Sequence, residues 1–436
     1  WNFSNGLIML GDVADKEPGE QGLFIHAKLK TINTKQWLPY LKDFNTSNTP
    51  TNNNDFIRQI NVDVKKLKFN TQEFNHLKIL ARQLNNNWDI NLKSNEASGA
   101  LSYVGESRQL NIILNHLLAK KIEHKPETKQ SNLNLNELPS LKLSIKRFNY
   151  NGHDFGRVEA IGKPHKNGYF FEKINLKDNE NEINAMAKLS MSGNLHHTII
   201  NPSWKSKNPG NFLQKLGYET GLENKELAAN GEFQWRDRID RFNLKTLEGE
   251  FETKLGKGII NEIDPGLGRA IGLLSFDSLQ RRMTLDFSDL YKTGFVLDNA
   301  YASFKIAKGE ALIKEFYINS PSARIDMYGL TELTKKQYQQ KVLVTPKISA
   351  TLPLITALAA GPQAGAVLLI LQKFFGKKID QITQHEYSIA GNWDNPVITK
   401  TKTVKSPIQS VMDSINILNL FKTDENKKAK KMIRKR

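Results

Sequence analysis

Apolar and polar residues alternate with a period of two along most of the chain. Because successive side chains of a strand point to opposite faces, each run predicts a strand with one apolar face. The apolar positions of these runs are Ile60, Val62, Val64, Leu141, Leu143, Ile145, Ala187, Leu189, Met191, Met283, Leu285, Phe287, Phe304 and Ile306.

Glycine dipeptides typical of tight turns separate the runs at short intervals. They are Asn151-Gly152, Asn167-Gly168, Ser192-Gly193, Asn230-Gly231, Glu248-Gly249, Lys308-Gly309 and Ala390-Gly391. The sequence lacks convincing helical crossovers between the strands, which argues against a doubly wound α/β fold. We therefore predict a mainly β protein built as an antiparallel meander.

A one-sided apolar pattern over so many strands has two solutions. Two sheets can pack face to face as a sandwich, or one sheet can curl around something apolar. The alternation by itself leaves both open.

Three segments near the N-terminus depart from the alternation. Residues 34–44 predict a short helix, and the Asn- and Thr-rich residues 45–55 predict a polar loop. Residues 76–84 have apolar residues at helical spacing, yet the neighbouring strands make a strand an equal alternative.

An uncharged segment, residues 352–372, approaches the length that spans a membrane, but Pro362 interrupts it. It predicts either two buried or groove-capping helices or a membrane-inserted hairpin. The residues expected to contact a membrane or the end of a groove are Leu354, Leu358, Val367, Leu368, Leu371 and Phe374. Further on, residues 408–418 carry an amphipathic helical stripe.

Charge adds an expectation about partners. The chain of 436 residues has a formal net charge of +17, which suggests an anionic partner such as phospholipid headgroups or nucleic acid. Residues 422–436 hold eight Lys and Arg against Asp424 and Glu425, so this tail either binds anionic lipid or is a solvated, disordered extension. Nucleic acid is disfavoured, because no motif combines stacking aromatic residues with basic ones.

The sequence offers no constellation for catalysis, a cofactor or a metal. It has no cysteine, and its nine histidines lack the spacing of metal ligands. His196 and His197 are adjacent, so on a strand they point to opposite faces. Gly266, Gly268 and Gly272 do not match the spacing of a dinucleotide loop. We therefore expect a protein that is not an enzyme.

The segments Pro265 to Phe276 and Leu279 to Leu290 resemble the C-terminal region of the AsmA-like YhdP family. The resemblance continues through the motifs Ser320-Pro321-Ser322-Ala323, Val342-Leu343-Val344-Thr345-Pro346 and Gly391-Asn392-Trp393-Asp394-Asn395-Pro396. It implies an elongated, twisted antiparallel β-sheet that forms an open apolar groove, with helices near the C-terminus. It also implies phospholipid transport between the inner and outer membranes and maintenance of outer-membrane integrity.

On this resemblance we expect the protein to be periplasmic and anchored to the inner membrane by an N-terminal segment that precedes Trp1. Residues 1–350 are expected to form the repeated β-groove, 351–378 an interrupted helical segment, 379–402 closing strands, and 403–436 the amphipathic helix and basic tail. The residues expected to line the lipid groove are Ile60, Val62, Val64, Leu141, Leu143, Ile145, Leu189, Met191, Leu285, Phe287, Phe304 and Ile306. A structural β-sandwich scaffold that carries no lipid is the alternative function.

Overall fold

The structure is a computed structural model, and it describes residues 5–13, 22–34, 57–69, 72–120, 134–193, 195–218, 221–224, 226–239, 241–260, 295–321, 323–346, 384–393 and 396–404. The chain divides into two compact units. The first comprises Trp1–Lys215 and Leu227–Gly249, and the second comprises Leu216–Glu226 and Glu250–Arg436.

Strands make up nearly all of the first unit, and they are numbered here in chain order through both units. They are β1 (Asn5–Gly11), β2 (Gly22–Asn33), β3 (Ile57–Phe69), β4 (Gln72–Leu84), β5 (Asn87–Lys93), β6 (Ala97–Val104), β7 (Gln109–Ala119), β8 (Ser140–Ile145), β9 (Phe148–Tyr150), β10 (His153–Asp154), β11 (Arg157–Pro164), β12 (Gly168–Lys177), β13 (Asn181–Ser192), β14 (Leu195–Ser206) and β16 (Leu227–Trp235). A 3₁₀ turn (Leu135–Glu137) precedes β8, and helix α1 (Pro209–Lys215) follows β14.

The second unit is also built from strands. They are β15 (Leu222–Asn224), β18 (Gly258–Ile260), β19 (Phe295–Leu297), β20 (Asn299–Ala307), β21 (Glu310–Asn319), β22 (Ala323–Glu332), β23 (Gln337–Pro346), β24 (Gln384–Asn392) and β25 (Val397–Val404). Strand β17 (Glu248–Leu255) begins in the first unit and continues in the second. Strands β20 to β25 pair with their neighbours as an antiparallel meander, and β15, β18 and β19 form a small antiparallel sheet. The predicted mainly β, mostly antiparallel fold is therefore confirmed.

Parallel pairs occur at two places in the first unit, where the sequence predicted only an antiparallel meander. Strands β1, β2 and β3 pair in parallel, and β7 pairs in parallel with both β8 and β9. Between these places, β3 to β7 form an uninterrupted antiparallel run. A parallel pair requires the chain to return across the sheet before the next strand begins, so its strands are not joined by a tight turn.

The ambiguous segment at residues 76–84 is a strand. It lies within β4, where Leu77, Ala81 and Gln83 are buried and Lys78 and Arg82 are exposed. His76 has a positive φ of 53°, an uncommon conformation for a residue other than glycine. Pairing with β3 and β5 decides the conformation here against the helical spacing of the leucines.

Four of the predicted glycine turns are confirmed. Asn151 and Gly152 both have positive φ between β9 and β10, as do Lys308 and Gly309 between β20 and β21. The other two confirmed turns connect β11 with β12 and β13 with β14.

Three predicted turns are wrong, because Asn230-Gly231, Glu248-Gly249 and Ala390-Gly391 lie within strands β16, β17 and β24. At Gly231 a Cβ would lie 2.4 Å from the Cε2 atom of Phe233, and at Gly249 it would lie 2.1 Å from the carbonyl oxygen of Glu232. Glycine is needed at Gly249, where the neighbouring backbone excludes a Cβ, whereas at Gly231 a larger residue would displace the Phe233 ring.

Several predicted elements lie outside the described residues. They are the helix at 34–44 apart from Thr34, the loop at 45–55, the uncharged segment 352–372, the amphipathic stripe 408–418 and the basic tail. The helices expected near the C-terminus belong to this group.

Candidate functional site

Two rows of uncharged side chains cross ten strands of the first unit. Residues in register on neighbouring strands point to the same face, so each row follows from the strand pairing. From β3 to β14, the first row is Ile60, Ala81, Ile90, Leu101, Ile112, Leu143, Ala160, Ile174, Ala185 and Pro202, and the second is Val62, Ile79, Leu92, Gly99, Leu114, Ile145, Val158, Leu176, Ile183 and Trp204. These two rows are called the apolar ladder.

The apolar ladder is only partly covered. Of its twenty residues, sixteen are half-buried, and only Ala81, Ala160, Leu114 and Ile145 are buried. Residues on the inner faces of a packed β-sandwich form a closed core. Most residues of the apolar ladder are too exposed to belong to such a core. The first unit therefore presents a continuous apolar surface that is partly exposed to solvent.

The opposite face of the same strands is more polar. Asn61, Leu80, Asn91, Ala100 and Ile113 occupy successive strands in register on that face. A shallow depression of about 710 Å³ lies there, and its lining includes Lys78 and Lys93. This mixed composition contrasts with the apolar ladder.

Aromatic rings close one end of the ladder face. Phe212 of α1 lies 5.1 Å from the ring of Trp204 and 5.5 Å from the ring of Phe155, measured between centroids. Phe155 and Phe212 are both buried. The Lys215 ammonium donates to the Asp154 carbonyl oxygen at 3.0 Å and lies 3.7 Å from the Asp178 carboxylate, so it ties α1 to the sheet.

The 3₁₀ turn lies at the other end of the strands. It contacts β11, β12 and β13, and its Leu135 is buried. The Tyr169 hydroxyl, which belongs to the ladder face, donates to the Pro139 carbonyl oxygen at 2.8 Å. Burial raises the pKa of Tyr169 above its ordinary value, which keeps the hydroxyl protonated as a donor.

The structure places eight predicted groove residues on this one face. Ile60, Val62, Leu143 and Ile145 belong to the apolar ladder, and Val64, Leu141, Leu189 and Met191 lie beside it on the same face by alternation along their strands. Phe304 and Ile306 lie on β20 of the second unit. Leu285, Phe287 and the six residues expected at a membrane or groove end, Leu354, Leu358, Val367, Leu368, Leu371 and Phe374, lie outside the described residues.

Sequence reasoning missed other members of the ladder. Ile90 and Leu92 alternate with polar residues, so the same period would have found them. Leu101 lies in a run of mostly small residues, Ala97 to Val104, where alternation is weak. Trp204 gave no signal, because its importance comes from the helix that packs on it.

The apolar face of the second unit is buried. Residues from six successive strands, β19 to β24, form one cluster that includes Phe304, Ile318, Met327, Val342 and Ile389. Val342 is 0% exposed and Ile318 is 2% exposed. This face therefore forms a closed core, unlike the apolar ladder.

Two pairs of polar side chains in the second unit are joined by hydrogen bonds. Gln340 donates from Nε2 to Thr331 Oγ1 at 2.8 Å, and both side chains are buried. Arg324 donates to both carboxylate oxygens of Asp326, and this raises the pKa of the Arg324 guanidinium. The guanidinium also stacks on the Tyr317 ring at 4.5 Å.

The described ranges contain neither a metal-binding cluster nor a membrane-spanning helix. Among those residues, no group of three or more His, Asp or Glu side chains is placed to hold a metal ion. No helix in the same part of the chain combines the length and the hydropathy needed to span a bilayer.

Comparison with known proteins gives two matches at the level of sequence. The profile of a protein family described as "YhdP protein" matches residues 1–398. A protein of Escherichia coli (strain K12) named "Intermembrane phospholipid transporter YhdP" is 30% identical over 186 residues. That alignment covers 42% of this chain and 15% of the relative. No solved structure matches the chain.

Proposed function

Because the chain belongs to the YhdP family, we propose that it is a non-enzymatic part of a phospholipid transporter, in which the apolar ladder holds acyl chains. The observation that carries this proposal is the register of the first unit, which aligns twenty uncharged residues across ten strands and leaves sixteen of them half-buried. The name of the Escherichia coli relative supports phospholipid as the substrate.

The energetics favour this type of surface. Burying one methylene group is worth about 0.8 kcal/mol, so a lipid with roughly thirty methylenes faces on the order of 20 kcal/mol when its chains enter water. A surface that remains apolar from strand to strand lets the chains move without an exposed intermediate. The headgroup can remain in water beside the sheet, so no bond has to be made or broken.

We place this activity in the periplasm, between the inner and outer membranes, with the chain anchored to the inner membrane by a preceding segment. The intermembrane role in the relative's name supports this location. Movement of phospholipid between the membranes would also maintain outer-membrane integrity, which completes the proposed role.

A structural scaffold remains the second candidate, because one observation favours it. The apolar face of the second unit is a closed core, with Val342 and Leu297 both 0% exposed. A scaffold needs only such cores, whereas a transporter also needs the open face of the first unit.

Removal of the apolar character of the ladder tests the proposal. In the variant Ile90→Asp with Leu143→Asp, we expect the phospholipid that co-purifies with the protein to fall at least about fivefold, because two carboxylates on the face oppose acyl binding. Lipid extraction followed by mass spectrometry measures this loss, and circular dichroism checks the fold.

The matched control is Asn91→Asp with Ser144→Asp, which places the same charges on the next residues of β5 and β8, on the opposite face. This control should keep its lipid. A wild-type protein that repeatedly purifies without lipid, or a folded ladder variant that keeps it, would favour the scaffold.

A further inference from the structure

The segment between β16 and β17 exposes large apolar side chains. Ile239 is 42% exposed, Phe242 is 59% exposed and Leu244 is 39% exposed. Leu195, at the start of neighbouring β14, is 76% exposed. Because β14 and β16 are antiparallel partners, Leu195 and this segment lie at the same end of the sheet. Clustered exposed apolar side chains mark an interaction surface more often than isolated ones do.

Hydrogen bonds hold this segment in a defined conformation. Trp235 donates from its indole nitrogen to the Arg238 carbonyl oxygen at 3.0 Å, and the Arg236 amide donates to Thr246 Oγ1 at 3.2 Å. Thr198 of β14 donates from its hydroxyl to the Asp237 carbonyl oxygen at 2.9 Å. The exposed side chains therefore project from an ordered backbone.

Basic residues are interspersed with the apolar ones. Residues 236–247 contain Arg236, Arg238, Arg241 and Lys245 against Asp237 and Asp240, a net charge of +2. Arg236, Arg241 and Lys245 are exposed. Exposed aliphatic and aromatic side chains flanked by arginine and lysine are the composition of protein segments that bind the interface of anionic bilayers.

We propose that Leu195, Ile239, Phe242 and Leu244, with Arg236, Arg241 and Lys245, form a docking surface for the anionic surface of a lipid bilayer. The apolar side chains enter the boundary between headgroups and acyl chains, and the basic side chains attract lipid phosphates. A second copy of the chain carries the same net charge of +17, so the basic side chains of this surface favour an anionic lipid membrane over a second copy.

The docking surface lies at the end of strands that also carry the ladder face, although Leu195 points to the opposite face by alternation from Pro202. Trp235 is in register with Thr198, and Thr198 is in register with Leu189 on that face. A docked surface would bring the end of these strands to the bilayer, where acyl chains could pass on or off. This last step rests on the proposed function, whereas the docking itself does not.

Flotation with vesicles tests the docking. The full chain is mixed with vesicles of phosphatidylethanolamine and phosphatidylglycerol, or of phosphatidylcholine alone. We expect the wild-type protein to float with the anionic vesicles and bind phosphatidylcholine at least about tenfold more weakly, because the cations contribute only on the anionic surface. Replacement of Ile239→Ser with Phe242→Ser should weaken binding to the anionic vesicles roughly thirtyfold.

Two variants serve as matched controls. Ile113→Ser with Met186→Ser removes two apolar side chains that are 55% and 51% exposed elsewhere in the first unit, and it should bind like the wild type. Arg236→Glu with Arg241→Glu should lower the preference for anionic vesicles at least about fivefold, whereas Lys142→Glu with Lys188→Glu, the same charge change at exposed positions outside this surface, should alter it little.

Equal binding by the wild type and the Ile239→Ser, Phe242→Ser variant overturns the proposal, as does a wild-type chain that does not float. A variant that instead dissociates a dimer in sedimentation assigns the surface to a second copy, which also overturns it. Co-purified phospholipid is measured in parallel. A wild-type chain that carries lipid but does not float would contradict the docking proposal alone. A wild-type chain that floats but carries no lipid would contradict the proposed function of the ladder alone.

Discussion

The two units of this protein use the same alternating strands and treat their apolar faces differently. In the first unit, Val62 of the apolar ladder is half-buried, and so are most of its partners along the row. In the second unit, Val342 is fully buried and belongs to a cluster drawn from six strands. Period-two alternation therefore specifies which face is apolar, but not whether that face is covered.

The difference separates stability from binding. A closed cluster contributes to folding through every side chain that it removes from water. A half-open face leaves apolar area in contact with water, and a ligand with acyl chains gains free energy by burying that area. The second unit is thus the part suited to stability, and the first unit is the part suited to an apolar ligand.

The largest expected effect comes from the same substitution made at these two valines. Val342→Asp should lower the free energy of unfolding of the second unit by about 4 kcal/mol or more, because a carboxylate is buried without a partner. Val62→Asp should cost only about 1–2 kcal/mol, because the new carboxylate can reach water. Urea unfolding followed by circular dichroism measures the free energy of unfolding of both variants. Equal losses in the two variants would contradict an open apolar face in the first unit.

A smaller effect sharpens the description of the closed core. Thr331→Val should cost about 1–3 kcal/mol, because it removes the acceptor for the buried Gln340 amide. The double variant Thr331→Val with Gln340→Met should recover much of that loss, because neither polar group then remains buried. Urea unfolding of both single variants and the double variant gives the interaction free energy between Thr331 and Gln340. Additive costs would mean that the hydrogen bond contributes little.

The smallest effect belongs to the first unit. Tyr169→Phe deletes the hydroxyl that donates to Pro139 and should cost about 1 kcal/mol, the usual net value of one hydrogen bond. Thermal unfolding measures the loss, and Tyr150→Phe provides a control in the same unit. A Tyr169→Phe protein as stable as the wild type would show that the 3₁₀ turn does not need this bond.

Much of the fold could be predicted from alternation, and its limits have physical causes. Ile60, Val62 and Val64 were assigned to one face correctly, because side-chain direction along a strand is a local property. The parallel pairing of β7 with β8 could not be predicted, since the same alternation suits either strand direction. Gly249 was mistaken for a turn because the close approach of the Glu232 backbone, which requires the glycine, becomes visible only in three dimensions.

The candidate site was predictable in part for the same reason. Alternation identified individual residues such as Leu143, but the row joining Leu143 to Ile112 and Ala160 depends on strand register. The Thr331 and Gln340 pair was also missed, because hydrogen bonding between two strands leaves no trace in local sequence. The docking surface around Phe242 had no regular period to reveal it.

The antiparallel run from β3 to β7, bounded by parallel pairs on both sides, has a consequence for how such proteins can change in length. Gene duplication of this five-strand block would insert a whole repeat between existing joints and lengthen the sheet by roughly 24 Å at the usual strand spacing. Because the first and last of an odd number of antiparallel strands run in the same direction, a copy joined through a parallel pair would meet its neighbours in the same orientation as the old one. Duplication could in this way change the length of the sheet without redesigning its surface.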